Sequence, residues 1–163
     1  PVWPDVSNQA LLKALEHWLG PVLLGQTGLA QLSPAALSSA LMGLIPRERR
    51  RLLDQLAPER IEVPSGSQIG IDYSDPAAPV LAVRLQEVFG LRETPRIGGG
   101  QVPVTLHLLS PAYRPVQVTR DIASFWKSGY FEVRKDLRGR YPRHAWPDDP
   151  LTAPATRRTR RKS

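Results

Sequence analysis

The residues with the clearest chemical potential lie between positions 120 and 146. Lysine and arginine neutralise the phosphates of nucleic acids, and exposed aromatic rings stack on unpaired bases. Eleven basic or aromatic side chains of this segment are candidates for such contacts: Arg120, Lys127, Phe131, Arg134, Lys135, Arg138, Arg140, Tyr141, Arg143, His144 and Trp146. Their types and spacing predict a surface that binds single-stranded RNA or another nucleic acid.

A long helix over residues 119–139 must position most of these side chains. At 3.6 residues per turn the cations gather on one side, with Phe131 among them. The apolar residues gather on the opposite side: Ile122, Phe125, Trp126, Tyr130, Val133 and Leu137. Two interpretations stay open, a solvated amphipathic helix with an incidental Phe131 or a strip of phosphate contacts with a stacking ring. Beyond the helix, Tyr141 and Trp146 either stack on bases or anchor an extended arm.

The sequence contains no recognisable machinery for ATP hydrolysis. Gly20 and Gly25 have the spacing of a phosphate-binding loop, but Gln26 stands where lysine is required and Pro21 lacks an amide hydrogen. An acidic DEAH-type motif for magnesium is absent, and the histidines lack metal-ligand spacing: His17, His107 and His144. We therefore expect no catalytic, cofactor-binding or metal-binding residues in this chain.

The apolar periodicity predicts an α+β fold. Helical spacing at residues 8–19, 33–45 and 47–57 predicts a small helical bundle over residues 1–58. Alternating apolar residues predict four or five strands of a small sheet within residues 59–150, packed by the long C-terminal helix and followed by an extended arm. The triplet Gly98-Gly99-Gly100 is expected to be a plain loop. Residues 151–163 form a basic tail that we expect to be disordered.

Composition bounds the class of protein. The 163 residues carry a net charge of +7, and five of the cations lie between Arg157 and Lys162, so the rest of the chain is mildly basic. The chain has no cysteine, which fits a reducing compartment, and we expect a cytoplasmic location. No apolar run approaches the roughly 20 residues of a membrane span. The chain begins with Pro1, and we interpret it as a piece of a longer protein.

Several long and unusual strings resemble the C-terminal region of bacterial HrpB proteins, which are ATP-dependent RNA helicases of the DEAH-type group. The resemblance covers roughly residues 55–150 and is weaker towards the N-terminus. The strings that carry it are Val63-Pro64-Ser65-Gly66-Ser67, Arg84-Leu85-Gln86-Glu87, Thr119-Arg120-Asp121-Ile122-Ala123, Phe125-Trp126, Gly139-Arg140-Tyr141-Pro142-Arg143-His144 and Trp146-Pro147-Asp148-Asp149-Pro150.

The resemblance implies an accessory region of a helicase without an ATPase site of its own. In the parent protein, ATP and magnesium would be bound by upstream helicase core domains, which are also expected partners of this region. The region would guide single-stranded RNA or regulate the motor by packing against it. The alternative is a protein-interaction module that docks a protein partner or the helicase core with little RNA contact.

Overall fold

The structure is a computed structural model, and it describes residues 3–158. Two compact units divide the chain, Pro1–Leu53 and Asp54–Ser163. The divide lies inside a helix, so the first unit ends before the boundary at residue 58 that the sequence predicted. Within the described range, no helix is both long enough and apolar enough to cross a lipid bilayer.

The first unit is helical, as its apolar spacing predicted. Its elements are α1 (Asn8–Lys13), α2 (Leu15–Trp18), α3 (Gly20–Leu23), a short 3₁₀ turn (Leu29–Gln31), α4 (Pro34–Gly43) and α5 (Arg47–Leu56), of which α5 continues into the second unit. The single helix predicted for residues 8–19 is divided at Ala14. The indole nitrogen of Trp18 donates to the carbonyl of Leu11 at 2.9 Å, an oxygen that Leu15 would use in an unbroken helix.

The second unit is built on a five-stranded mixed sheet. Its strands lie in the order β1-β2-β3-β6-β7, and the β3–β6 pair is parallel while the other pairs are antiparallel. The strand bounds are β1 (Arg60–Glu62), β2 (Gln68–Asp72), β3 (Val80–Arg84), β6 (Thr105–Leu109) and β7 (Pro115–Thr119). This mixed α+β architecture confirms the predicted fold class.

The triple glycine forms the turn of a hairpin. It closes a separate two-stranded hairpin of β4 (Arg96–Ile97) and β5 (Val102–Pro103). Gly98, Gly99 and Gly100 have φ angles of 63°, 70° and 85°, a region that residues with a Cβ rarely adopt. Two-residue strands carry too little periodicity to be recognised in the sequence, which is why the hairpin was not predicted.

The predicted long helix is present as three continuous pieces. They are α6 (Ile122–Ser124), a π-helical turn (Phe125–Gly129) and α7 (Tyr130–Arg140). The carboxylate of Asp121 accepts from the Ser124 amide at 3.0 Å and so caps the first turn. Five of the six residues predicted to face the core are buried, and Val133 packs partly buried against them.

The chain beyond α7 lies against the second unit. Gly90 donates its amide hydrogen to the Pro150 carbonyl at 2.8 Å, and Thr156 donates to the Gln86 carbonyl at 3.0 Å. Leu151, Ala153 and Ala155 pack against the core. The prediction of disorder from residue 151 onwards is therefore wrong for residues 151–156, and residues 159–163 lie outside the described part of the chain.

Candidate nucleic-acid interface

An exposed strip runs along the outer side of the long helix. Lys127, Phe131, Lys135 and Arg138 are all exposed and follow one another at spacings of three or four residues, so they are neighbours on the helix surface. Phe131 is 47% exposed, which is unusual for a large apolar ring on a helix whose other side is buried. We call these four residues the outer strip.

Within residues 3–158, the cations of the outer strip form no ion pair within 4.0 Å of an acidic side chain. The ion pairs found among residues 3–158 are Arg84–Glu87, Arg134–Asp148 and Arg140–Asp136, and none of them includes Lys127, Lys135 or Arg138. Lys135 borders a depression that it shares with Glu132, Asp136, Gly139 and Arg140. The positive charge of the strip is therefore available to an external anion.

Arg134 has a different environment from the other helix cations. Its Nε donates to the Trp146 carbonyl at 3.0 Å, and its Nη2 donates to Asp148 Oδ1 at 2.5 Å. One turn earlier, the Tyr130 hydroxyl donates to the Pro147 carbonyl at 2.7 Å, and burial raises the pKa of this tyrosine. Arg134 and Tyr130 thus hold the arm of residues 141–150 against the helix.

Tyr141 and Trp146 have the contacts of anchors. Both rings are half-buried and pack against the core of the second unit. The Trp146 indole nitrogen donates to the Tyr141 carbonyl at 2.8 Å, and the Tyr141 hydroxyl lies 3.5 Å from Ser110 Oγ. Of the two interpretations left open by the sequence, these contacts favour the anchoring one.

His144 lies between these anchors. Its ring centroid is 6.3 Å from that of Tyr141 and 6.5 Å from that of Trp146, and its Nδ1 is buried without a hydrogen-bond partner in the described structure. Burial lowers the pKa of His144, and the positive charge of Arg84 lowers it further. The imidazole therefore favours its neutral form. It lines a depression of about 480 Å³ together with Arg134, Arg138, Pro142, Trp146 and Asp148.

The remaining predicted cations lie at the ends of the helix. Arg120 is exposed just before the helix, and its Nε donates to Thr105 Oγ1 at 3.0 Å. Arg140 is paired with Asp136 at 3.3 Å on the surface, and Arg143 is exposed in the arm. The structure thus brings part of the predicted set together as a strip and uses another part to fix the arm.

A second cluster of cationic and aromatic residues was missed by the sequence analysis. Arg84 at the end of β3 places its Cζ 4.9 Å from the ring centroid of Tyr113, which lies in the loop between β6 and β7. Arg157 lines the same depression of about 510 Å³. These residues belong to different elements and share no periodicity. The available signal was an aromatic residue next to Arg114 in a turn flanked by Pro111 and Pro115.

Glu87 fixes the base of this second cluster. Its Oε1 accepts hydrogen bonds from Ser65 Oγ at 3.0 Å and Ser67 Oγ at 2.6 Å, while its Oε2 accepts from Arg84 Nε at 3.1 Å. Burial by itself would raise the pKa of Glu87, but the hydrogen bonds from Ser67, Arg84 and Ser65 and the charge of Arg84 hold it below its ordinary value. The carboxylate is therefore ionised and internally neutralised.

The part of the chain that the structure describes contains no set of side chains suited to bind a metal ion. Within residues 3–158, no three histidine, cysteine, aspartate or glutamate side chains are grouped so that they could hold one metal ion. The polar clusters described above are instead arginine–carboxylate and serine–carboxylate networks.

The chain with this mixed sheet, cation-bearing helix and docked arm matches the C-terminal domain of ATP-dependent helicases. The chain belongs to the HrpB C-terminal family, since the family model described as "ATP-dependent helicase C-terminal" matches residues 18–150. It is 47% identical over 161 residues to the ATP-dependent RNA helicase HrpB of Escherichia coli strain K12. That alignment covers 99% of this chain and 20% of the relative, so the chain spans about a fifth of the length of that protein.

Two solved structures share the fold. A crystal structure of the E. coli DExH-box NTPase HrpB matches 98% of this chain and 20% of its own, with a TM-score of 0.87 and 47% identity. A crystal structure of the E. coli DEAH/RHA helicase HrpB matches 90% of this chain and 18% of its own, with a TM-score of 0.70 and 43% identity. These matches confirm the resemblance found in the sequence.

Proposed function

We propose that this chain is a single-stranded RNA-binding accessory region of an HrpB-like ATP-dependent RNA helicase. It holds the nucleic acid on the outer strip, while ATP and magnesium are bound by helicase core domains elsewhere in the parent protein. The observation that carries the proposal is Phe131, an exposed ring placed among the helix cations Lys127, Lys135 and Arg138.

The chemistry of the outer strip matches that of an unpaired strand. Ammonium and guanidinium groups neutralise successive phosphates, and an aromatic ring stacks on any base because every base has a π-face. Arg120, Arg140 and Arg143 extend the positive surface at the two ends of the helix. Arg134, Tyr141, His144 and Trp146 support this surface by holding the arm, and their contacts with RNA would be secondary.

Fluorescence anisotropy of labelled single-stranded RNA, measured across a salt series, tests this proposal. The variant combines Lys127→Glu, Lys135→Glu and Arg138→Glu. Arg134 is left unchanged, because its replacement would also release the arm. Each phosphate contact with a single strand contributes roughly 0.7 to the slope of log affinity against log salt. If the three cations contact phosphates, their loss should make this slope shallower by about 2. Affinity itself should fall steeply at low salt.

A charge-matched control separates the outer strip from general positive charge. Lys13, Arg47 and Arg51 are exposed in the helical unit, and their joint replacement by glutamate changes the net charge of the chain equally. This control should retain most of the RNA affinity. Equal losses in both triple variants would contradict a defined site, and unchanged binding in the outer-strip variant with loss of a protein partner would favour a protein-interaction module.

A further inference from the structure

Tyr113 has an unusual backbone and an unusual exposure. Its φ angle is +61°, whereas the other positive φ angles in residues 3–158 belong to glycines. Its side chain is 64% exposed. The loop that carries it is held by three hydrogen bonds. The Tyr113 amide donates to the Ser110 carbonyl at 2.9 Å, the Ser110 amide donates to the Arg114 carbonyl at 2.8 Å, and the Arg114 amide donates to Ser110 Oγ at 3.2 Å. The ring is therefore presented outward by a rigid loop in a conformation that favours glycine.

The guanidinium of Arg84 covers one face of this ring. The Arg84 Cζ lies 4.9 Å from the ring centroid, within the range of a cation–π contact. Arg84 cannot easily turn away, because its Nε is bonded to Glu87 at 3.1 Å and its Nη2 to the Arg157 carbonyl at 3.1 Å. One face of Tyr113 is thus held by a fixed cation, which leaves the opposite face open to solvent.

The charges around Tyr113 favour an anionic ligand. Glu87 is the acid that borders this depression, and its carboxylate is already neutralised by Arg84 and two serine hydroxyls. Arg114 is exposed next to Tyr113 in the chain, and Arg157 is exposed where it lines the depression. A phosphate beside the ring would therefore meet uncompensated positive charge.

The Tyr113 loop contacts the segment that follows the helix. Ser110, in the Tyr113 loop, lies 3.5 Å from the Tyr141 hydroxyl, and Tyr141 directly follows α7. Burial lowers the pKa of His144, and the positive charge of Arg84 lowers it further. His144 in turn shares a depression with Arg138 of the outer strip.

We infer that Tyr113 is a stacking platform for one unpaired base of a single-stranded nucleic acid, with Arg114 and Arg157 contacting the flanking phosphates. This inference rests on the proposed function, because it assigns a second contact to the same ligand. A strand held on the outer strip would pass Arg138 and the arm and then place a base on the open face of Tyr113. Stacking on a single ring tolerates every base, so the platform would recognise an unpaired strand instead of a sequence.

Two substitutions at Tyr113 test the inference. Tyr113→Gly removes the ring and suits the backbone conformation, so the loop should keep its shape, while Tyr113→Phe keeps the stacking face. With a labelled single-stranded RNA of about 12 nucleotides, the glycine variant should lose about 5- to 100-fold in affinity and the phenylalanine variant should bind like the parent chain. The salt slope should not change in either variant, because no charge is removed.

A matched RNA duplex serves as the second probe, because its bases are already paired and stacked. Tyr113→Gly should leave affinity for the duplex unchanged. Single-strand affinity equal to that of the parent chain, or an equal loss for single strand and duplex, would overturn the inference. If Tyr113→Gly has no effect while the outer-strip variant loses binding, the platform is refuted and the proposed function stands. If the parent chain binds neither RNA, both proposals fail.

Discussion

At the scale of single residues, the environment of Glu87 shows how this unit accommodates a buried charge. The Glu87 side chain is 6% exposed and that of Arg84 is 15% exposed, and both oxygens of the carboxylate are engaged. A buried carboxylate is tolerated when its partners replace the lost hydration. Because Arg84 also supports the ring of Tyr113, the stability of this network and the proposed stacking platform depend on the same ion pair.

We expect Glu87→Gln to lower the free energy of unfolding by about 1.5–3 kcal/mol, the range for hydrogen bonds to charged groups. The neutral amide cannot compensate the charge of Arg84, and it accepts through one oxygen where the carboxylate accepted through two. Urea denaturation at neutral pH measures the change. The control is Glu93→Gln, the same substitution at an exposed position, which should change stability by less than about 0.5 kcal/mol.

The same comparison predicts a pH dependence. The pKa of Glu87 is lowered in the folded chain from its ordinary value of 4.5, so the unfolded chain binds the proton more tightly. The stabilisation by the carboxylate is therefore fully present above pH 4.5 and is lost as the pH falls through the lower, folded-state pKa. The difference in stability between the parent chain and Glu87→Gln should be constant near neutrality and should shrink in acid; a difference that grows in acid would contradict this account.

Residue-level properties were predicted where they depend on periodicity and missed where they depend on distant contacts. The exposure of Phe131 followed from its position on the helix. The docking of Arg134 onto Trp146 and Asp148 did not, because the spacing of a helix face carries no information about which segment covers it. The left-handed Tyr113 was equally hidden, since tyrosine has no preference for that conformation.

At the scale of elements, the π-helical turn explains why Gly129 is required in the middle of the long helix. A Cβ built on Gly129 would lie 2.9 Å from Cδ2 of Phe125, whose ring is buried in the core. The apolar side was still predicted correctly, because an apolar stripe of about 100° or more tolerates the rotation that one wider turn introduces. The spacing of four residues indicates that Gly129 and Phe125 are neighbours, but it does not reveal that the Phe125 ring leaves no room for a Cβ.

We expect Gly129→Ala and Gly139→Ala to change stability in opposite directions. Alanine favours the helix over glycine by about 1 kcal/mol, and at Gly139, with no atom within 4 Å of the added Cβ, this gain should be realised. At Gly129 the clash with Phe125 should outweigh this gain in helix propensity and lower the free energy of unfolding by about 1–2 kcal/mol. Thermal unfolding of both variants measures the two shifts, and stabilisation by Gly129→Ala would contradict the observed packing.

At the scale of the whole molecule, amino-acid composition did not predict that residues 151–156 pack against the second unit. Leu151, Ala153 and Ala155 alternate with other residues and pack against the core. The alternation was present in the sequence, but small side chains, a proline and the arginines that follow gave the segment the composition of a disordered tail. The segment after residue 150 therefore combines two separate properties, the packing of its apolar residues and the positive charge of the arginines that follow them.

Two truncations separate these properties. Ending the chain after Pro150 removes the apolar contacts of residues 151–155, the Thr156–Gln86 bond and the Arg84–Arg157 bond, and we expect it to cost about 2–3 kcal/mol of unfolding free energy. Ending it after Arg158 retains each of these contacts and should change the stability by less than about 0.5 kcal/mol. Urea denaturation of both shortened chains measures the difference.

The same pair of truncations then sharpens the RNA-binding experiment. A chain that ends after Arg158 lacks Arg160, Arg161 and Lys162 but keeps the outer strip and the surroundings of Tyr113, so its RNA affinity at moderate salt should stay close to that of the full chain. Removing three cations should weaken mainly the binding at low salt, where long-range attraction is least screened. If the chain ending after Arg158 loses RNA binding at every salt concentration, the attraction came from residues 159–163 and the folded strip is not the site.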